Sequence, residues 1–352
     1  MDLPDFTKPS SIILDRVLTN DELAQFPKDA QALPMRGLDG RWSHTHYAVQ
    51  WGLPIVPILA HSLLGQNGQF GNQLFQYAFT RLFAEKLQRG ACVPKWAGST
   101  LFGLDDPPVV QVYPHHRDLT HKWDESQLNV YAADIPPCLD ISGYFQFHTS
   151  YYAPHKERIR EWFSPTAEIE ARFGTAMVAM VGHRTLVCLQ LRRGAGYGKG
   201  MFFITPDGVY LDWLATIWPT LENPVLYIAT DDPAVVSAYA AFNPLTSADM
   251  GVSVQGFEFF TDFYVLMHAR MLAISNSTFG VWAAMLNRFY DHAGLDDGMD
   301  YVRPRYSLTK LQPFDPWNCD PLTDRDQDRP EVTVPEFASD RPRQVFGGIA
   351  YG

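Results

Sequence analysis

The stretch Thr185-Leu-Val-Cys-Leu-Gln-Leu191, followed at once by Arg192-Arg193-Gly194-Ala195-Gly196-Tyr197-Gly198-Lys199-Gly200, decides the reading of the chain. The apolar run reads as a short strand, and the glycines read as a turn leaving its carboxyl end. Val225-Leu-Tyr-Ile-Ala229 and Met271-Leu-Ala-Ile274 repeat the pattern, with helical spacing near 209–219, 234–242 and 262–270 between them. Strands alternating with helices predict an α/β fold with a parallel sheet. Nucleotide-handling sites in such sheets lie beyond the carboxyl ends of the strands, where the two arginines stand.

Toward the amino end the same grammar recurs. An apolar run from Leu53 to Leu64 leads to glycines at 65, 68 and 71, and then to helical spacing from Asn72 to Arg89. Ile141 to Phe147 reads as another strand, Arg158 to Phe163 as a helix stopped by Pro165, and 167–181 as a helix crossing to the second half. The first 50 residues are polar and irregular, with one short helix at Asn20 to Phe26. After Leu295, prolines at 304, 313, 316, 321, 330, 335 and 342 break every element. The expected organisation is an irregular arm at 1–52, a first half at 53–165, a second half at 166–294 and a Pro/Asp-rich wrapping tail at 295–352.

With 352 residues, 46% of them hydrophobic and 14% aromatic, the chain can bury one or two full cores, which excludes disordered and fibrous classes. A formal charge of -11 argues against a nucleic-acid partner, so any anionic ligand must meet a local basic site. The run 52–64 is broken by Pro54, Pro57 and His61, so no membrane span is expected. The first 20 residues lack a basic segment followed by an apolar one, and Cys92, Cys138, Cys188 and Cys319 form no C-x-x-C pair. Both features predict a soluble cytoplasmic protein with reduced thiols.

Two guanidinium forks on a Gly-rich turn can clamp a pyrophosphate bidentately, with the backbone N–H of Gly194 and its neighbours approaching it. Asn276-Ser277-Thr278-Phe279 follows the strand at Ile274 and opens a helix, where small hydroxyl residues cap the helix and present free N–H groups to an anion. Gly71, Asn72 and Gln73 again place glycine and amides between strand and helix. Asp231-Asp232-Pro233 reads first as a helix start, Asp capping and Pro at the first position, with one carboxylate left to face a base. His44, His46, His115, His116 and His121 lack ligand spacing with Cys or Glu, so no metal is assigned.

Taken together, Gly68-Gln-Phe-Gly71-Asn-Gln-Leu-Phe-Gln-Tyr-Ala78, Ile141-Ser-Gly-Tyr-Phe-Gln146, Leu191-Arg-Arg-Gly194, Thr230-Asp-Asp232, Thr261-Asp-Phe263 and Asn276-Ser-Thr-Phe-Gly-Val-Trp-Ala-Ala284 resemble the alpha-1,2-fucosyltransferase family, glycosyltransferase family 11. The likeness spans about residues 55–290. It implies a GT-B architecture of two Rossmann-like halves facing a cleft, the first half on the acceptor side and the second on the donor side. It further implies inverting, metal-independent transfer of fucose from GDP-fucose to a galactose-type hydroxyl of a glycan acceptor. Carried over by position, Arg192 holds the donor pyrophosphate with Arg193 in support. Ser277, Thr278 and Phe279 line the phosphate side and Asp231 or Asp232 meets the guanine, while Gly71, Asn72, Gln73, Gln190, Gly194 and Asn276 complete the donor-binding set expected from the residues themselves.

The chain departs from the family pattern His-x-Arg-Arg-Gly-Asp, having Gln190 and Ala195 where the family has His and Asp. Gln190 exchanges hydrogen bonds but not charge, and Ala195 carries no acid-base group. Asp207 and Asp262 are the replacement candidates for a base. The departures also motivate two competing expectations: a catalytically weak nucleotide-sugar or glycan-binding protein of the same fold, and a transferase using a different nucleotide sugar.

Overall fold

The computed structural model describes residues 10–16, 19–37, 39–117, 136–194, 197–198, 203–292, 300–304 and 310–322. Among the described residues, contacts divide the chain into one unit through Phe145 and a second from Gln146 onward.

The first unit begins with β1 (Ser10–Leu14), a short helix α1 (Asn20–Leu23), β2 (Gln31–Arg36) and β3 (Trp42–Trp51). These strands form an antiparallel sheet in the order β1-β3-β2. The expected irregular arm is therefore a folded sheet. Tyr47, Val49 and Trp51 alternate along β3 and bury one face with Leu14, Phe26 and Ala32, while His44, Thr45 and His46 are exposed. A sheet with one wet face is half polar by construction, which hid the strands in composition.

A second sheet follows, built from β4 (Ile58–Ala60), β5 (Gly90–Cys92), β6 (His115–Arg117) and β7 (Cys138–Ser142) in the order β5-β4-β7-β6, all parallel. The apolar run at 53–64 supplies only three strand residues, since Pro54 and Pro57 donate no ladder hydrogen bond. Helix α2 (Phe70–Lys86) crosses from β4 to β5 with Leu74, Phe75, Tyr77, Ala78 and Phe79 buried, and α3 (Ala97–Leu101) follows β5.

The second unit holds β8 (Thr185–Leu191), β9 (Pro224–Thr230), β10 (Met271–Ala273), β11 (Tyr301–Pro304) and β12 (Leu311–Pro313), in the order β12-β11-β10-β8-β9. All pairings are parallel except β11 with β12. Its helices are α4 (Lys156–Trp162), α5 (Ala167–Val181), α6 (Asp207–Ile217), α7 (Ser247–Met250), α8 (Phe260–Leu266) and α9 (Thr278–Leu286). Val209, Tyr210, Trp213, Leu214 and Ile217 of α6 pack on Val187, Leu189, Leu191, Leu226 and Ile228 of the sheet. Each unit thus carries a parallel sheet with crossing helices, the two-part α/β architecture expected from the sequence.

Two expected boundaries are corrected. Residues 146–165, assigned above to the first half, belong to the second unit: Arg160 donates to the carbonyls of Met285 at 3.4 Å and Asn287 at 2.9 Å, and the Thr149 hydroxyl donates to the Cys319 carbonyl at 3.0 Å. The expected tail begins inside the sheet, because β11 pairs with β10 and Arg303 donates to the Asp320 carbonyl at 2.5 Å. Tail residues 323–352 lie outside the described residues.

Candidate functional site

Parallel alignment of β9, β8 and β10 brings the segments after Thr230, Leu191 and Ala273 to one edge of the second-unit sheet. Arg192 and Arg193 leave β8 there, between Asp231 on one side and Ser275 on the other. Asp231 accepts from the backbone N–H of Arg193 at 2.7 Å, from that of Gly194 at 2.8 Å, and from the Arg192 guanidinium. The carboxylate comes so close that a Cβ on Gly194 would lie 2.2 Å from its Oδ2, which is why glycine stands at 194. On the other side, the Arg192 N–H donates to the Ser275 hydroxyl at 3.3 Å.

The two arginines differ in surroundings. Arg192 lies over the Tyr197 ring at 5.1 Å with 20% of its side chain exposed. Arg193 is 7% exposed, donates to Asp207 at 2.6 Å, and lies over the Tyr210 ring at 5.9 Å. Asp207, the first residue of α6, also accepts from the Tyr239 hydroxyl at 2.9 Å. Among the described residues, the Nη1 of Arg193 is buried with no hydrogen-bond partner. A buried guanidinium nitrogen unsatisfied among the described residues is free to take a further acceptor, and a phosphate oxygen suits it.

Gln190 is buried, and its amide oxygen accepts from the Ser275 N–H at 3.2 Å and hydroxyl at 2.8 Å, tying β8 to the turn after β10. Ser277 caps α9, its hydroxyl accepting from the Phe279 N–H at 3.3 Å. Asn276 is buried, and its carbonyl accepts from the Tyr197 hydroxyl at 2.9 Å. Thr278 and Phe279 form the first turn of α9. Asp232 caps the 3-10 turn Pro233–Phe242 through the Ala234 N–H at 3.1 Å, as the Asp-Pro signal predicts. Ala195 lies outside the described residues.

The Asp262 carboxylate does not face this edge. Asp262 lies in the first turn of α8 against the middle of β9, where the Tyr227 hydroxyl donates to it at 2.6 Å. Burial raises its carboxyl from 3.8 to about 6, opposed by the Tyr227 hydrogen bond. Because the folded value is raised, the stability this group contributes is full below about pH 4, falls as pH rises through about 6, and is level above. Asp262→Asn, which keeps an acceptor for Tyr227, is expected to stabilise the protein by about 2 kcal/mol near neutral pH and to flatten that decline. Thermal melts between about pH 4 and 7.5 check this, and a less stable variant at the upper end contradicts it.

Gly71, Asn72 and Gln73 lie in the first unit, in the first turn of α2. The Gln73 amide donates to the carbonyls of Gly65 at 3.3 Å and Gly68 at 3.2 Å, closing the turn before the helix. Gly68 has φ +70, and a Cβ there would meet the Asn72 amide at 2.2 Å.

The structure therefore gathers Gln190, Arg192, Arg193, Gly194, Asp207, Asp231, Asp232 and the 276–279 turn at one sheet edge. Sequence reasoning missed Tyr197, Tyr210 and Tyr239, which orient the arginines and Asp207. Tyr197 stood inside the quoted glycine turn, an aromatic among glycines, and was the one visible signal. Among the described residues no three His, Cys, Asp or Glu side chains gather as a metal site, and no helix is long and apolar enough to cross a membrane.

No protein-family model matches the chain, and none of the curated proteins matches it. Solved structures similar to it include NodZ alpha-1,6-fucosyltransferase soaked with GDP-fucose, at 13% identity over 66% of this chain and 93% of that one, with a TM-score of 0.44. POFUT1 in complex with GDP is similar at 14% identity over 72% and 99%, with a TM-score of 0.47. A mutant of Arabidopsis thaliana FUT1 in complex with GDP is similar at 13% identity over 77% and 74%, with a TM-score of 0.47.

Proposed function

We propose that the protein is an inverting, metal-independent glycosyltransferase that moves fucose from GDP-fucose to a galactose-type hydroxyl of a glycan, with the second unit binding the donor and the first serving the acceptor. The observation that carries the reading is the buried Nη1 of Arg193, unpartnered among the described residues, at the same sheet edge as Arg192 and the capped end of α9. As GDP departs, the fucosyl C1–O bond breaks with its electron pair going to the β-phosphate oxygen. The acceptor oxygen bonds C1 from the opposite face, and its proton passes to solvent water as the O–H bond breaks. Negative charge grows on the diphosphate, and preorganised guanidinium and helix N-terminal donors stabilise it. Asp207, ion-paired with Arg193 on the leaving-group side, positions that guanidinium. The pairings with Asp231 and Asp207 fix the arginines in place before the donor arrives, so little reorganisation is needed.

The test is GDP release from GDP-fucose over a panel of acceptors, with and without a chelator, alongside thermal shifts by GDP and UDP. Turnover that a chelator leaves unchanged is expected, with GDP at about 100 times its dissociation constant adding about 2.7 kcal/mol of stability. A larger shift by UDP overturns the donor, and inhibition by chelator overturns the metal-free route. Gln190 and Ala195 favour a second reading, a nucleotide-sugar binder, which tight GDP binding without turnover on any acceptor would establish.

A further inference from the structure

Phe259 is an exposed aromatic ring at the donor edge that no part of the mechanism uses. It is 38% exposed, whereas Phe260 and Phe263 beside it are fully buried. Single exposed apolar residues are ordinary on protein surfaces, so its place in the fold is what matters. The segment from α8 to β10 must run from the carboxyl edge of the sheet back to its amino edge, because β10 is parallel to β8 and starts only after α8 has ended. The residue before α8 is therefore at the same edge as Arg192.

Contacts trace the connection. Arg192 lies over Tyr197, the Tyr197 hydroxyl donates to the Asn276 carbonyl, and three residues on, the Phe279 ring meets Phe259 at 6.5 Å and 74°. Phe257 meets Phe259 from another side at 6.2 Å and 88°. These edge-on neighbours hold the ring, and 38% of the residue's surface is exposed. A nucleoside diphosphate whose phosphates lay on the arginine loop and the α9 terminus would carry its flat heteroaromatic base along the edge where Phe259 meets Phe279. Every base has a π face, so a part-exposed aromatic residue near a phosphate site suits it.

Resting on the donor reading above, we infer that Phe259 is a base-stacking residue that contributes affinity for the purine of the bound nucleotide and none for its phosphates. Calorimetric titration of the full chain with GDP and, separately, with inorganic pyrophosphate tests it. Phe259→Ala is expected to weaken GDP binding about tenfold to a hundredfold and to leave pyrophosphate binding unchanged, while Phe259→Tyr retains GDP affinity. Unchanged GDP affinity in Phe259→Ala overturns the inference, as does an equal loss for pyrophosphate, which would signal a disturbed loop instead. If the parent protein binds pyrophosphate but gains nothing from the nucleoside, base stacking fails while the anion site stands. If it binds neither, the donor reading fails and this inference with it.

Discussion

Arg192→Ala is expected to lower kcat/KM for fucosyl transfer at least about 100-fold while leaving the melting temperature nearly unchanged. The guanidinium stands at the carboxyl end of β8, held by Asp231 on one side and the Tyr197 ring on the other, and belongs to no core cluster. Its removal takes a fixed positive charge from the place where the departing diphosphate gains negative charge, an interaction that strengthens toward the transition state. Losing one such donor typically costs about 3 kcal/mol. The fold is spared because β8 is held to β9 along its whole length, seven paired residues from Thr185 to Leu191. Arg192→Lys should recover little. An ammonium cannot bridge Asp231 and a phosphate through one planar fork, nor lie flat on Tyr197. Steady-state kinetics with GDP-fucose, paired with thermal melts, reads both effects, and full activity in the alanine variant refutes the clamp.

Acidification is expected to destabilise the first unit through His61, at up to about 1.4 kcal/mol per pH unit between about pH 6.5 and 3. His61 follows β4 and is fully buried. Its Nδ1 lies 2.9 Å from the Thr80 hydroxyl, which itself donates to the Gln76 carbonyl at 2.7 Å. The hydroxyl proton is thereby committed, so Nδ1 carries the imidazole proton and donates to Thr80, leaving Nε2 as a bare lone pair with no partner among the described residues. Burial, reinforced by His115, lowers the ring from 6.5 to about 3. A depressed histidine value means that below about pH 6.5 the unfolded chain takes up a proton the folded chain refuses. Stability is therefore complete above that value and drains as pH falls toward 3. His61→Gln should show a shallower loss over the same window, measured as the difference in melting midpoint between variant and parent. Parallel pH profiles would remove His61 as the cause.

Legibility in the sequence followed how local each feature was. The runs around 185–191 and 225–229 were readable because strands of a parallel sheet are covered on both faces and stay apolar throughout. Asp232 before Pro233 and Ser277 before Thr278 were readable because a cap is set by residues two positions away. The sheet of β1, β2 and β3 was not readable, since polar residues fill its open face. Nor was β11, whose Arg303 and Pro304 look like tail until Asp320 and β12 close over them.

The amino-acid order alone settled the alternation of strand, glycine turn and helix, and with it the standing of two arginines and a capped helix at strand ends. Those features depend on neighbours within a few residues. Only the tertiary structure decided that Asp231, 39 residues from Arg192, would hold that arginine and its loop, that Asp207 would hold Arg193, and that the Asp262 carboxylate would face Tyr227 instead of that edge. The lateral order β10-β8-β9 makes those choices, because it sets which distant side chains share an edge and which share a buried face.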